Sequence, residues 1–108
     1  MLEKLELGKL EKDIEKKFVK AVENAGGIAP KFISPGTSGM PDRLAIFPGG
    51  FIFPVETKKP KGGRLSARQR LMHKKLKDLD VRVWLVCTEQ LIQEFMAYVE
   101  SVRNGHQV

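Results

Sequence analysis

The chain has almost no sulfur chemistry and no long apolar run. Its one cysteine, Cys87, stands inside Val83-Trp84-Leu85-Val86-Cys87. A single thiol can form neither a disulfide nor a thiolate zinc site within the monomer, and its apolar neighbours predict a buried, inert group. Nowhere do about 18 apolar residues follow one another, which excludes a membrane-spanning helix, and the first thirty residues are too charged for a secretory signal. A soluble, cytoplasmic protein is expected. Repeats, low-complexity segments and linkers are also missing. With 108 residues, 42% of them hydrophobic, one core can be buried but not two, so residues 1–108 are expected to form a single domain.

What is present is basic charge, and it is concentrated. The net charge is +6, yet the window from Glu56 to Arg82 holds ten Lys or Arg against three acids, a balance of +7, leaving −1 for the rest. A patch of this kind suits phosphate neutralisation, where each cation placed on a backbone releases counterions. On charge alone a solvated face is the commoner explanation.

Periodicity places the elements. Leu7, Leu10, Ile14, Phe18, Ala21, Val22 and Ala25 recur every three or four residues, predicting an amphipathic helix from Lys4 to Ala25 that Gly26-Gly27 stops. Ile28 to Ile33 reads as a short strand, followed by the polar loop Ser34 to Gly39. Strands are expected over Arg43 to Phe47 and Phe51 to Lys58, joined by Pro48-Gly49-Gly50. Pro54 cannot donate to a ladder and implies an edge, a bulge or an outward N–H direction. After a Gly62-Gly63 hinge, Ser66 and Gln69 have the spacing of a capping box that opens a helix to about Leu79, with Met72, Leu76 and Leu79 as its apolar line. Val81 to Cys87 reads as a buried strand, and Thr88 caps a last helix carrying Leu91, Ile92, Phe95, Met96 and Val99. The order is αβββαβα, an α/β fold with a mixed sheet flanked by helices.

Three short stretches carry chemistry within that frame: Pro41-Asp42, then Glu56-Thr57-Lys58 across the hairpin, then Ser66-Ala67-Arg68-Gln69. Two carboxylates at neighbouring strand ends can hold a hard divalent cation, and Lys58 projects from the same strand face as Glu56 because side chains alternate with period 2. The set suits metal-assisted attack on a phosphodiester. Blander readings remain for each residue: Asp42 as a turn carboxylate, Glu56–Lys58 as a surface pair, Gln69 as a cap. Lys59, Lys61, Arg64 and Arg68 surround the site and would position a nucleic-acid backbone. His73, Lys74, Lys75 and Lys77 read as a solvated or backbone-tracking face, and Trp84 as core packing.

The succession Glu11-Lys12-Asp13-Ile14, Gly39-Met40-Pro41-Asp42, Val55-Glu56-Thr57-Lys58 and Gly63-Arg64-Leu65-Ser66-Ala67-Arg68-Gln69 resembles the VRR-NUC family of virus-type replication and repair nucleases, within the PD-(D/E)xK superfamily. The short, stand-alone form looks like its bacteriophage members, which would act in the host cytoplasm. The resemblance implies a restriction-endonuclease-like core and an endonuclease dependent on Mg²⁺ or Mn²⁺. It also implies branched DNA as substrate, four-way (Holliday) junctions or flaps, cut by a homodimer. Carried onto this sequence, Asp42, Glu56 and the Thr57 carbonyl become metal ligands, Lys58 the group that orients or deprotonates the attacking water, and Gln69 a neighbour of the metal and phosphate. A first-helix acid falls on Glu11 by the Glu-x-x-Ile pattern, inside the stripe of Leu7, Leu10, Ile14 and Phe18, with Glu15 as second choice. Thr57 and Pro54 depart from the family pattern without removing a functional group. A non-catalytic nucleic-acid-binding module of the same fold is the alternative; a sequence-specific restriction enzyme lacks a recognition segment here.

Overall fold

The computed structural model describes residues 2–59 and 64–105, with side chains from residue 12 onward. Six elements succeed one another: α1 (Leu2–Asn24), β1 (Arg43–Phe47), β2 (Phe51–Thr57), α2 (Ala67–Asp78), β3 (Trp84–Val86) and α3 (Glu89–Arg103). The sheet order is β1-β2-β3, with β1 antiparallel and β3 parallel to β2. This is the α/β arrangement the sequence predicts.

Alternation along the strands sorts the two faces of the sheet. Ala45, Phe47, Val55 and Val86 turn toward α1 and α3, which contribute Ile14, Phe18, Val22, Ile92, Phe95 and Val99 to one buried core. Spacings of four in α1 and of three and four in α3 make each of these sets a single stripe. Phe95 is the hub: the rings of Trp84, Phe18 and Phe53 lie 5.5, 5.6 and 5.9 Å from its own, at the tilted or edge-on angles that aromatic quadrupoles favour. Trp84 is thus core packing, as expected. Cys87 is only half-buried.

Several expected elements are shorter, and prolines account for two of them. Ile28 to Ile33 meets β1 only through isolated bridges, Ile28 with Ile46 and Lys31 with Arg43. Ile28 and Ile46 exchange both backbone bonds, and Leu44 N–H donates to Pro30 O, but Pro30 has no N–H to return. On the far side, Lys58 N–H donates to Val86 O, so the period of two aims the nitrogen of Pro54 at the same neighbour. It offers no donor to the residues before Trp84, and β3 spans Trp84–Val86 rather than Val81 to Cys87. The Pro48-Gly49-Gly50 turn forms as expected, with φ of +97° and +84° at its two glycines, values costly for any residue with a Cβ.

On the opposite face of the sheet, Leu76 of α2 borders Leu44 and Pro54 together with Phe32, Met40 and Val81 from the flanking segments. The capping box of α2 is present: Gln69 N–H donates to Ser66 Oγ and Ser66 N–H to Gln69 Oε1. No residue of α2 is fully buried, and Leu79, expected on its apolar line, is 72% exposed. The helix ends at Asp78, and Leu79 falls in the turn completed by Asp80 at φ +62°, past the last residue of the helix. Thr88 caps α3 through Leu91 N–H. The Gly62-Gly63 hinge lies outside the described residues.

Candidate active site

The site lies at the end of β2, and the alternation of that strand gives it two sides. Thr57 faces the α1 layer and Glu56 the α2 layer; both are 2% exposed. Asp42 stands in the bend just before β1, after the buried Pro41. Its carboxylate accepts twice from Thr57, from the backbone N–H at 3.2 Å and from the hydroxyl at 2.8 Å. Asp42 is therefore held by two donors rather than free in a solvated turn, which fixes the direction of its remaining lone pairs.

On the α1 side, Glu15 brings Oε1 to 3.4 Å from Thr57 Oγ1 and Oε2 to 3.7 Å from Arg43 Nη2. Arg43 in turn donates from Nη1 to Ala29 O at 2.7 Å, tying the bridge segment to the site. Glu15 is thus the α1 acid in contact with the site among the described residues. The side chain of Glu11, one turn earlier, lies outside them.

On the α2 side, burial, with the Asp42 carboxylate against it, raises the Glu56 carboxyl to about 7, while the Lys58 ammonium pulls the other way. Asp42 and Glu56 converge, and Lys58 shares their neighbourhood. Glu56 Oε1 is buried with no hydrogen-bond partner, and so is His73 Nε2, 3.6 Å from it. Burial, then Lys58, lowers the pKa of His73, so the imidazole is neutral at pH 7. Sequence reasoning placed His73 on a solvated face and passed over Arg43. The signal for His73 was its position four residues after Gln69, on the inner face of α2, hidden within a run of charges.

A divalent ion fits this donor set. Two adjoining acids with an unpaired, buried carboxyl oxygen are a hard-oxygen arrangement that a cation would satisfy. No three His, Cys, Asp or Glu side chains form a ligand cluster among the described residues, so backbone carbonyl and water would complete the shell, as Mg²⁺ commonly requires. Gln69 has its Oε1 in the helix cap, leaving its amide N–H groups for another partner. Lys59 is half-buried, and Arg64 and Arg68 are exposed around the start of α2; Lys61 lies outside the described residues. Beyond His73 a cleft of about 760 Å³ runs between α2 and the approach to β3, lined by the cations Lys74, Lys77 and Arg82 and by the acid Asp80. None of these three cations forms an ion pair with a described residue. The Arg82 guanidinium stacks 4.1 Å from the Trp84 ring centre, which holds it in place.

A small mixed sheet with helices on both faces and acids meeting at a strand end defines a restriction-endonuclease-like nuclease core. No family model matches the chain. A solved "VRR_NUC domain" superposes with a TM-score of 0.75 at 27% identity, covering 82% of this chain and 95% of that one. The protein named "Putative nuclease p44", from Acyrthosiphon pisum secondary endosymbiont phage 1, is 42% identical over 81 residues, 75% of this chain and 86% of the relative. The chain belongs to the VRR-NUC nuclease family.

Proposed function

We propose that the chain is a divalent-metal-dependent DNA endonuclease acting on branched DNA such as four-way junctions or flaps. The observation that carries this reading is the meeting of Asp42 and Glu56 with Lys58 at the end of β2. Asp42, Glu56 and the Thr57 carbonyl are the groups that would hold Mg²⁺ or Mn²⁺, and Glu15 the α1 acid beside them. A bound ion would supply charge to the scissile phosphate and acidity to a water. The chain's own part is to place groups. Thr57 holds Asp42 in one orientation, and burial keeps Glu56 from bulk water. Lys58 orients the attacking water and offsets charge growing on the phosphate oxygens. Lys59, Arg64 and Arg68 on one side of α2, and Lys74, Lys77 and Arg82 on the other, are placed to hold phosphates without reading bases.

Symmetric cutting of a junction requires two active sites related by a two-fold axis, so the substrate class carries a homodimer with it. Phe47, Phe51 and Phe53 pack against or within the core. The hairpin Phe47 to Phe53 and the last helix are the surfaces the sequence offers for the contact, and within the first the exposed Ile52 is a better candidate than the phenylalanines.

The test is cleavage of labelled four-way junction, 5′ flap, duplex and single-stranded DNA with Mg²⁺, Mn²⁺ or EDTA. Glu56→Ala should abolish cutting, and Lys58→Ala should slow it about 10²- to 10⁴-fold. Equal products with and without EDTA would remove the metal from the reading. Binding of DNA without cutting under every condition would make the chain a non-catalytic module.

A further inference from the structure

Two buried polar atoms face one another at the site without a bond. Glu56 Oε1 and His73 Nε2 each lack a hydrogen-bond partner, and 3.6 Å separates them, too far for a hydrogen bond. Their side chains are only 3% and 14% exposed, so bulk water does not replace the missing partners. Leaving such groups unpaired is unfavourable, and folded proteins keep few of them. Once Glu56 is ionised, as it is when it receives a cation, its acceptor oxygen facing a bare ring nitrogen would set two lone pairs against each other. The tautomer with its proton on Nε2 instead makes a donor aimed at an acceptor.

We propose that His73 is a positioning residue of this nuclease site, its Nε2–H closing onto Glu56 Oε1 and holding that carboxylate in the orientation that receives the divalent ion. The inference rests on the metal-dependent reading above and adds a residue to it. An approach of about 0.7–0.9 Å from the observed 3.6 Å brings the pair into the range of a charge-assisted hydrogen bond. The helix that carries His73 can make that approach, because α2 has no fully buried residue anchoring it to the sheet. The Ser66–Gln69 capping box holds the first turn of α2 in helical form one turn before His73, so the approach moves the helix without unwinding its start.

The chemical consequence lies in the other carboxyl oxygen. A glutamate has three rotatable bonds, and freezing them for a ligand costs conformational entropy that a second contact can meet in advance. With Oε1 held by His73, Oε2 is left for the shared space beside Asp42. The same division of labour, an outer group orienting the ligand, typically changes metal affinity about 10- to 100-fold.

The experiment is calorimetric titration of the chelator-stripped full chain with Mn²⁺, and separately with Mg²⁺, for the parent, His73→Phe, His73→Ala and His73→Gln. Phe keeps a flat ring without the donor, Ala removes both without a clash, and Gln keeps an N–H donor. Phe and Ala should weaken ion binding about 10- to 100-fold with unchanged circular dichroism, and Gln should recover most of the loss. Parent-like affinity in the Phe and Ala variants overturns the inference while leaving the metal reading intact, and so does an equal loss in Gln. Nitrogen coupling from His73 in the pulsed paramagnetic resonance of bound Mn²⁺ also overturns it, since His73 would then be a direct ligand. A parent chain that binds neither ion removes the metal reading itself.

Discussion

Replacing Glu56 by glutamine should make the metal-free protein more stable at pH 8 and leave it unchanged at pH 4. Glu56 is 2% exposed and its carboxyl is raised from an ordinary 4.5 to about 7, by burial first and by Asp42 second. Below pH 4.5 the group is protonated in both folded and unfolded chains and exacts no penalty. Between 4.5 and 7 the unfolded chain releases the proton while the folded chain retains it, so stability falls as pH rises. Above about 7 the loss is complete, and at about 1.4 kcal/mol per pH unit it amounts to roughly 3 kcal/mol. Glutamine has nearly the same shape and never ionises. For a domain of this size the difference corresponds to a midpoint higher by about 10–20 °C at pH 8. Thermal unfolding followed by circular dichroism from pH 4 to 9 in EDTA measures it, and taking parent minus variant cancels the groups they share. Curves that run parallel through pH 4.5–7, or a less stable variant at pH 8, would refute the argument. Adding Mn²⁺ should reverse the ranking, because a ligand that binds only the folded parent stabilises only the parent.

Thr57→Val keeps the side-chain shape but removes the hydroxyl that donates to Asp42 at 2.8 Å. It should lower stability at pH 7 by about 1.5–3 kcal/mol, read by urea unfolding, and an unchanged midpoint would show that the backbone N–H alone holds Asp42. Gly39→Ala should destabilise by about 1–3 kcal/mol, because φ there is +86° and a Cβ would stand 2.4 Å from Arg68 O. The first turn of α2 should then exchange its amide hydrogens faster, and parent-like exchange would show that the loop before Asp42 does not seat the helix.

Much of the site follows from local rules. Asp42, Glu56 and Lys58 could be picked out because strand alternation and a tight hairpin bring two strand ends together whatever packs around them. The caps at Ser66 and Thr88 were legible for the same reason, since each is decided within four residues. The prolines were legible as chemistry but not as consequence: that Pro30 reduces a strand to bridges and Pro54 shortens β3 depends on which neighbour each nitrogen faces.

The sequence by itself determined the order of the six elements, the core stripes of α1 and α3, and the placing of Asp42, Glu56 and Lys58 at neighbouring strand ends, because these rest on periods of 3.6 and 2 and on neighbours along the chain. Only the tertiary structure decided that Glu15 reaches Thr57 and Arg43 from one side, that His73 meets Glu56 from the other, and that Leu79 stays in solvent. Those outcomes depend on where each helix is seated on the sheet. That seating is a compromise among contacts distant in sequence, which no local period encodes.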